Sequence, residues 1–67
     1  MTYRYFELID DVGQDFYRAD EDGNVEGWNV VLECWEKSFI SDLNTLEWVG
    51  QASFILKFEE VTEDDVR

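Results

Sequence analysis

The stretch DFYRADEDGNVEGWNVV, residues 15–31, decides how this chain folds. Two β-like runs, DFYRA at 15–19 and NVEGWNVV at 24–31, enclose an Asp22-Gly23 pair. An Asp-Gly pair between such runs is a strong hairpin signal, because glycine takes up the positive φ of a tight turn at no steric cost. The returning strand is expected to continue to about Cys34, with Gly27 marking a bulge.

The same residues also invite a metal-loop reading, since Asp20 and Asp22 alternate ahead of Gly23. If Gly23 held the sixth position of an EF-hand loop, Arg18 would fall at the first and Asn29 at the twelfth. Those positions require a carboxylate and a bidentate glutamate. Starting the loop at Asp20 places Val25 where glycine is needed. The loop therefore reads as turn chemistry, with Asp20, Glu21 and Asp22 expected as an exposed acidic tip. No metal or other cofactor is expected.

Outward from the hairpin, TYRYFELI at residues 2–9 is rich in aromatic and aliphatic residues and ends at the polar DDVGQD, so it reads as a first strand. Arg4, Phe6 and Leu8 share one face; Tyr3, Tyr5, Glu7 and Ile9 share the other. Either both faces are partly covered, or the Arg4 and Glu7 heads reach solvent over their own stems. Between Val31 and Val49 the apolar residues Val31, Leu32, Trp35, Phe39, Leu43 and Leu46 recur at spacings of three and four, interrupted on that stripe by Asp42. The β-branched and cap-forming residues of VVLECW and SFISDLNT oppose one long helix. The pattern predicts a helix over about residues 38–48, closed by Gly50 as a left-handed cap. ASFILKFEEV, residues 52–61, alternates with Ala52, Phe54, Leu56 and Phe58 inward and Ser53, Ile55, Lys57 and Glu59 outward, so it reads as a strand. Thr62 and Asp65 form a capping pair for a last helical turn. The expected fold is a single α+β domain over residues 1–67: a mostly antiparallel sheet of about four strands, one packed helix and a short C-terminal helical turn.

Composition limits the chemistry. The chain has 67 residues, no proline, no histidine and one cysteine, and its hydrophobic fraction of 45% is too high for a disordered acidic tail. A chain this short buries about 60% of the surface its unfolded form exposes. Lacking histidine, it has no Ser-His or Cys-His nucleophile pair and no zinc set of the usual Cys/His type. Cys34 cannot form an internal disulfide, suits a reducing cytoplasm, and is expected as a buried or half-buried structural residue. No run approaches the ~20 apolar residues of a membrane span, and the N-terminus lacks the pattern of a secretory signal. An enzyme is not expected, and a cytoplasmic location is.

Seventeen acids against five basic residues give a formal charge of −12, beyond the magnitude of about 2–8 that suffices to keep a small domain soluble. Such a chain repels nucleic acid and anionic membranes and attracts basic surfaces. The acids fall in three groups: Asp10, Asp11 and Asp15; Asp20, Glu21, Asp22 and Glu26; and a C-terminal group beginning with Glu59 and Glu60. A radius of gyration of about 11 Å keeps them within a few tens of ångströms of one another. These residues, together with Trp28, are the candidate partner-binding set, with exposed aromatics among Tyr3, Tyr5, Tyr17, Trp28 and Trp48 adding localised binding energy.

In size and charge the chain resembles the small acidic inhibitors of phages and mobile elements, the DNA mimics and anti-CRISPR proteins. That resemblance implies a non-enzymatic protein that blocks a basic, nucleic-acid-binding surface on a protein partner. FYRADEDGNVEGW and KFEEVTEDDV also resemble small acidic bacterial proteins with an FYR, a DG-x-VE hairpin and an EEVTE-like tail, which implies no activity. Two alternatives stand beside the first: an immunity or antitoxin-like inhibitor of a basic nuclease, and a structural or adapter subunit.

Overall fold

The computed structural model describes residues 2–66, which form five strands, one helix and a 3-10 turn. The strands are β1 (Arg4–Ile9), β2 (Gln14–Ala19), β3 (Asn24–Asn29), β4 (Cys34–Asp42) and β5 (Lys57–Val61); the helix α1 is Leu43–Gly50 and the 3-10 turn Glu63–Val66. All five strands join one sheet in the order β4-β3-β2-β1-β5, every neighbour antiparallel. The α+β class and the packed helix agree with the sequence; the strand count is five rather than about four. The radius of gyration is 11.1 Å. No helix among the described residues is long and apolar enough to cross a membrane.

The hairpin that organises the sheet forms as its residues dictate. Asp20 N–H donates to the Asn24 carbonyl and Gly23 N–H to the Asp20 carbonyl, while Gly23 takes a φ of +86°. This is the pattern of a three-residue hairpin loop with glycine in the left-handed position. Pairing beyond it is regular, with Ala19 opposite Val25 and Tyr17 opposite Gly27, so Gly27 does not mark a bulge. The irregularity lies one strand over, between Asn24 and Glu26 on the β3–β4 seam, where β4 has more residues than its partner.

The predicted continuation of β3 to Cys34 is not formed. Asn29 closes the strand, its Oδ1 accepting from the N–H groups of Val31 and Leu32 at 3.0 and 2.9 Å, and Glu33 completes the reversal at a φ of +54°. Such an Asx turn offers the backbone an alternative to the ladder. The chain returns as β4, carrying the aromatic pair Trp28–Trp35 across the seam at 5.2 Å. The helix accordingly begins five residues later than expected. Asp42 is its cap, accepting from Thr45 N–H at 2.9 Å and from the Thr45 hydroxyl at 2.8 Å. The carbonyl of Gly23 accepts from Leu43 N–H, which ties the helix start to the hairpin.

One face of the sheet holds the core: Phe6, Leu8, Ala19 and Val25 buried beneath Leu46 of α1, with Phe58 stacked on Phe6. Strand alternation sends Tyr3, Tyr5, Arg18, Trp28 and Trp35 to the other face, where Val66 of the 3-10 turn is buried. Both faces are therefore partly covered. Residues 51–56 are a chain of turns rather than the first half of β5, and Phe54 and Leu56 are exposed instead of inward, while Ile55 packs against the core. Gly50 is the last helical residue and not a left-handed cap, with Gln51 capping at a φ of −93°. The expected C-terminal turn forms: Asp65 Oδ2 accepts from both the N–H and the hydroxyl of Thr62, at 2.9 and 3.1 Å.

Candidate functional site

Antiparallel pairing distributes the acids between the two ends of the sheet. The β2–β3 hairpin and the start of α1 lie at one end; the β1–β2 turn and the β3–β4 turn lie at the other. At the hairpin end, Asp20, Glu21 and Asp22 line an open groove of about 390 Å³ together with Arg4 and Asp42. Arg4 is the groove's one cation among the described residues, and Glu60 holds it through two bonds, Nε to Oε2 at 3.1 Å and an Nη to Oε1 at 3.0 Å. Glu47 of α1 adds its charge toward the same guanidinium. The groove thus unites Asp20, Glu21, Asp22 and, through Arg4, Glu60. Sequence reasoning missed Asp42 and Glu47; the signal for Asp42 was the Asp-x-x-Thr cap spacing.

The other candidates lie elsewhere. Asp10, Asp11 and Asp15 sit at the opposite end of β2, ~17 Å away along the strand at its usual rise per residue. Asp10 is engaged by its own turn, its Oδ1 accepting from Val12 and Gly13 N–H at 2.9 and 3.0 Å. Glu26, on the face opposite α1, accepts from Arg18 Nε at 2.8 Å. Glu59 pairs with Lys57 at 3.1 Å, and the same ammonium holds buried Glu7 at 2.9 Å, where Gln14 also donates to Glu7. These bonds hold the Glu7 carboxyl below its usual range, with the Lys57 ammonium as the largest cause. Three of the ten candidates therefore neutralise the chain's own cations. Tyr3, Tyr5, Tyr17 and Trp28 are half-buried, which leaves Trp48, at 77% exposure, as the exposed member of the expected aromatic set.

Asp20 is not a bare tip residue. Its Oδ1 accepts from Asp22 and Asn24 N–H at 2.9 and 3.0 Å, and its Oδ2 from the Asn24 amide at 3.2 Å. The Asn24 N–H is the foremost of the donors that hold the carboxyl below its ordinary value of 3.8. A depressed folded pKa means stabilisation that is complete above that value and lost as pH falls through and below it. Asp20→Asn keeps the acceptor and removes the charge. It should lower the urea midpoint at neutral pH, and the gap to the native chain should narrow as falling pH protonates Asp20. A gap that persisted unchanged in acid would remove the charge from this account.

The opposite face carries a second feature, an open cleft of about 740 Å³ lined by Arg18, Trp28, Glu33, Cys34, Trp35 and Val66 among others. Cys34 is exposed rather than buried, because it opens an edge strand directly after a tight turn. No known family, curated protein or solved structure matches this chain. Among the described residues no group of three or more His, Cys, Asp or Glu is placed to hold a metal ion. The groove offers fixed carboxylates to a cationic surface; the cleft offers indole faces beside carboxylates.

Proposed function

We propose that this protein is a non-enzymatic acidic binding protein that occupies the basic, nucleic-acid-binding surface of a protein partner in the manner of a nucleic-acid mimic or anti-CRISPR-type inhibitor. The observation that carries this reading is the groove in which Asp20, Glu21, Asp22 and Asp42 converge while its lining cation is already bound by Glu60. A charge of −12 steers such a surface toward basic partners and away from nucleic acid itself. An immunity-type inhibitor of a basic nuclease would use the same groove, with a nuclease as the partner.

Glu21 and Asp22 are the residues to reverse, since both are exposed and their carboxylates make no bonds to the described residues, whereas Asp20 supports the turn and Glu26 holds Arg18. The protein should capture a basic partner from lysate at low salt, release it at high salt, and surrender it to added nucleic acid. Glu21→Lys with Asp22→Lys should weaken capture by at least about tenfold while leaving the fold as stable or slightly more so, because self-repulsion is relieved. Retention of the partner by the double reversal would move the interface elsewhere. An adapter is the second reading, favoured by Trp48, Phe54 and Leu56, which stand at 60% exposure or more around the end of α1 and the turns that follow. It requires binding that barely responds to salt, so the same titration separates the two.

A further inference from the structure

The cleft on the face opposite α1 takes no part in the acidic groove, yet its walls have a defined chemistry. Trp28 and Trp35 meet edge to face at 5.2 Å and form its aromatic floor. Two acidic residues, Glu33 and Glu63, also line it. Glu33 is set there by the left-handed backbone of the β3–β4 turn, and Glu63 by the 3-10 turn that crosses this face. Among the described residues the one cation in the lining, Arg18, is compensated by Glu26 at 2.8 Å.

The chain already shows a guanidinium on one of these indoles, that of Trp35. The Arg18 guanidinium lies 4.1 Å from the Tyr3 ring centroid and 4.9 Å from that of Trp35, inside the ≈6 Å range of cation–π attraction. We infer that the cleft is a receptor for an arginine side chain of a basic polypeptide, which stacks its guanidinium on Trp28 and pairs it with Glu33. A flat guanidinium satisfies an indole face and a carboxylate together, which an ammonium does with less geometric fit. The inference takes the kind of partner from the acidic-binding reading above, and the place of attachment from the cleft alone. A nucleobase would also stack on an exposed indole, but a chain of −12 repels the phosphates that come with it.

Two-dimensional NMR on the full chain tests this, using a capped peptide of alternating arginine and glycine as the probe. The Trp28 and Trp35 indole N–H resonances should shift saturably, and the same peptide with citrulline in place of arginine should leave them unmoved. Trp28→Ala should weaken binding by about tenfold. Glu33→Gln, at an exposed turn that the core does not use, should weaken it severalfold, which keeps the test independent of any effect of the tryptophan on folding. Shifts confined to the amides of Glu21 and Asp22, with the indoles still, would overturn the cleft and leave the acidic groove standing. If no resonance moved, both readings would fall together. Indole shifts produced by oligothymidine and not by the arginine peptide would also overturn the inference.

Discussion

Leu46→Ala is expected to lower the midpoint of thermal unfolding by roughly 15 °C, from a loss of about 3 kcal/mol in a domain of this size. Leu46 is fully buried and is the one residue of α1 to be so. It is the knob by which the helix closes Phe6, Leu8, Ala19 and Val25 beneath it. An eight-residue helix has no stability of its own in water, so its formation depends on that contact. Whole-domain stability at this length is only ~3–10 kcal/mol, so the variant should be substantially unfolded at physiological temperature. Trp48→Ala, on the exposed side of the same helix, is the control and should move the midpoint little. If Leu46→Ala moved it no further than that control, α1 would not be anchored as described.

The loss of this helix would also test the groove, because Asp42 is both its cap and a groove acid. Leu43 N–H bonds the Gly23 carbonyl, so the hairpin acids and the helix start are fixed relative to each other. Folding and the candidate site are thus coupled at one point, the end of the sheet where β4 becomes α1.

What could be read from the sequence follows from how local each signal is. The Asp22-Gly23 turn was legible because the conformation it needs is written into one residue, and the Thr62–Asp65 cap because its partners are three residues apart. The β3–β4 turn was hidden because Val30, Val31 and Leu32, all apolar and all exposed, stand where turn residues are ordinarily polar or glycine. Its sole local signal is Asn29. Merging that turn into a strand pushed the helix boundary upstream and obscured the Asp42 cap. Residues 52–56 alternate as a strand should, yet the chain there must rise from the end of α1 to Lys57 opposite Ile9, and Leu56 N–H bonds the Ile9 carbonyl to make the entry. That requirement is tertiary and leaves no local mark.

The site was legible in kind and not in arrangement. Composition alone shows an acidic surface, but which acids remain available depends on where five basic residues land. Arg4 reaches Glu60 and Arg18 reaches Glu26 only because β1 lies between β2 and β5 and β2 pairs with β3. Glu26 was grouped with the hairpin acids by sequence proximity, although strand alternation turns it to the opposite face, beside the aromatic cleft.

Gly50→Ala provides the second large effect, and its sign separates two physical terms. In an exposed helix the exchange would stabilise by up to about 1 kcal/mol, since alanine is the better helix former. Here a Cβ would stand 2.5 Å from Cγ and 2.9 Å from Cδ1 of Phe58. That ring cannot swing aside freely, because it is stacked at 5.7 Å and 5° on buried Phe6. Overpacking of this kind costs about 1–3 kcal/mol, so the steric term wins and the unfolding midpoint should fall by about 10 °C. In a Phe58→Ala background the clashing Cγ and Cδ atoms are gone, and the same Gly50→Ala exchange should become neutral or stabilising as the propensity term is uncovered. A rise in midpoint on Gly50→Ala in the native background would show that α1 and β5 do not approach as closely as this packing requires.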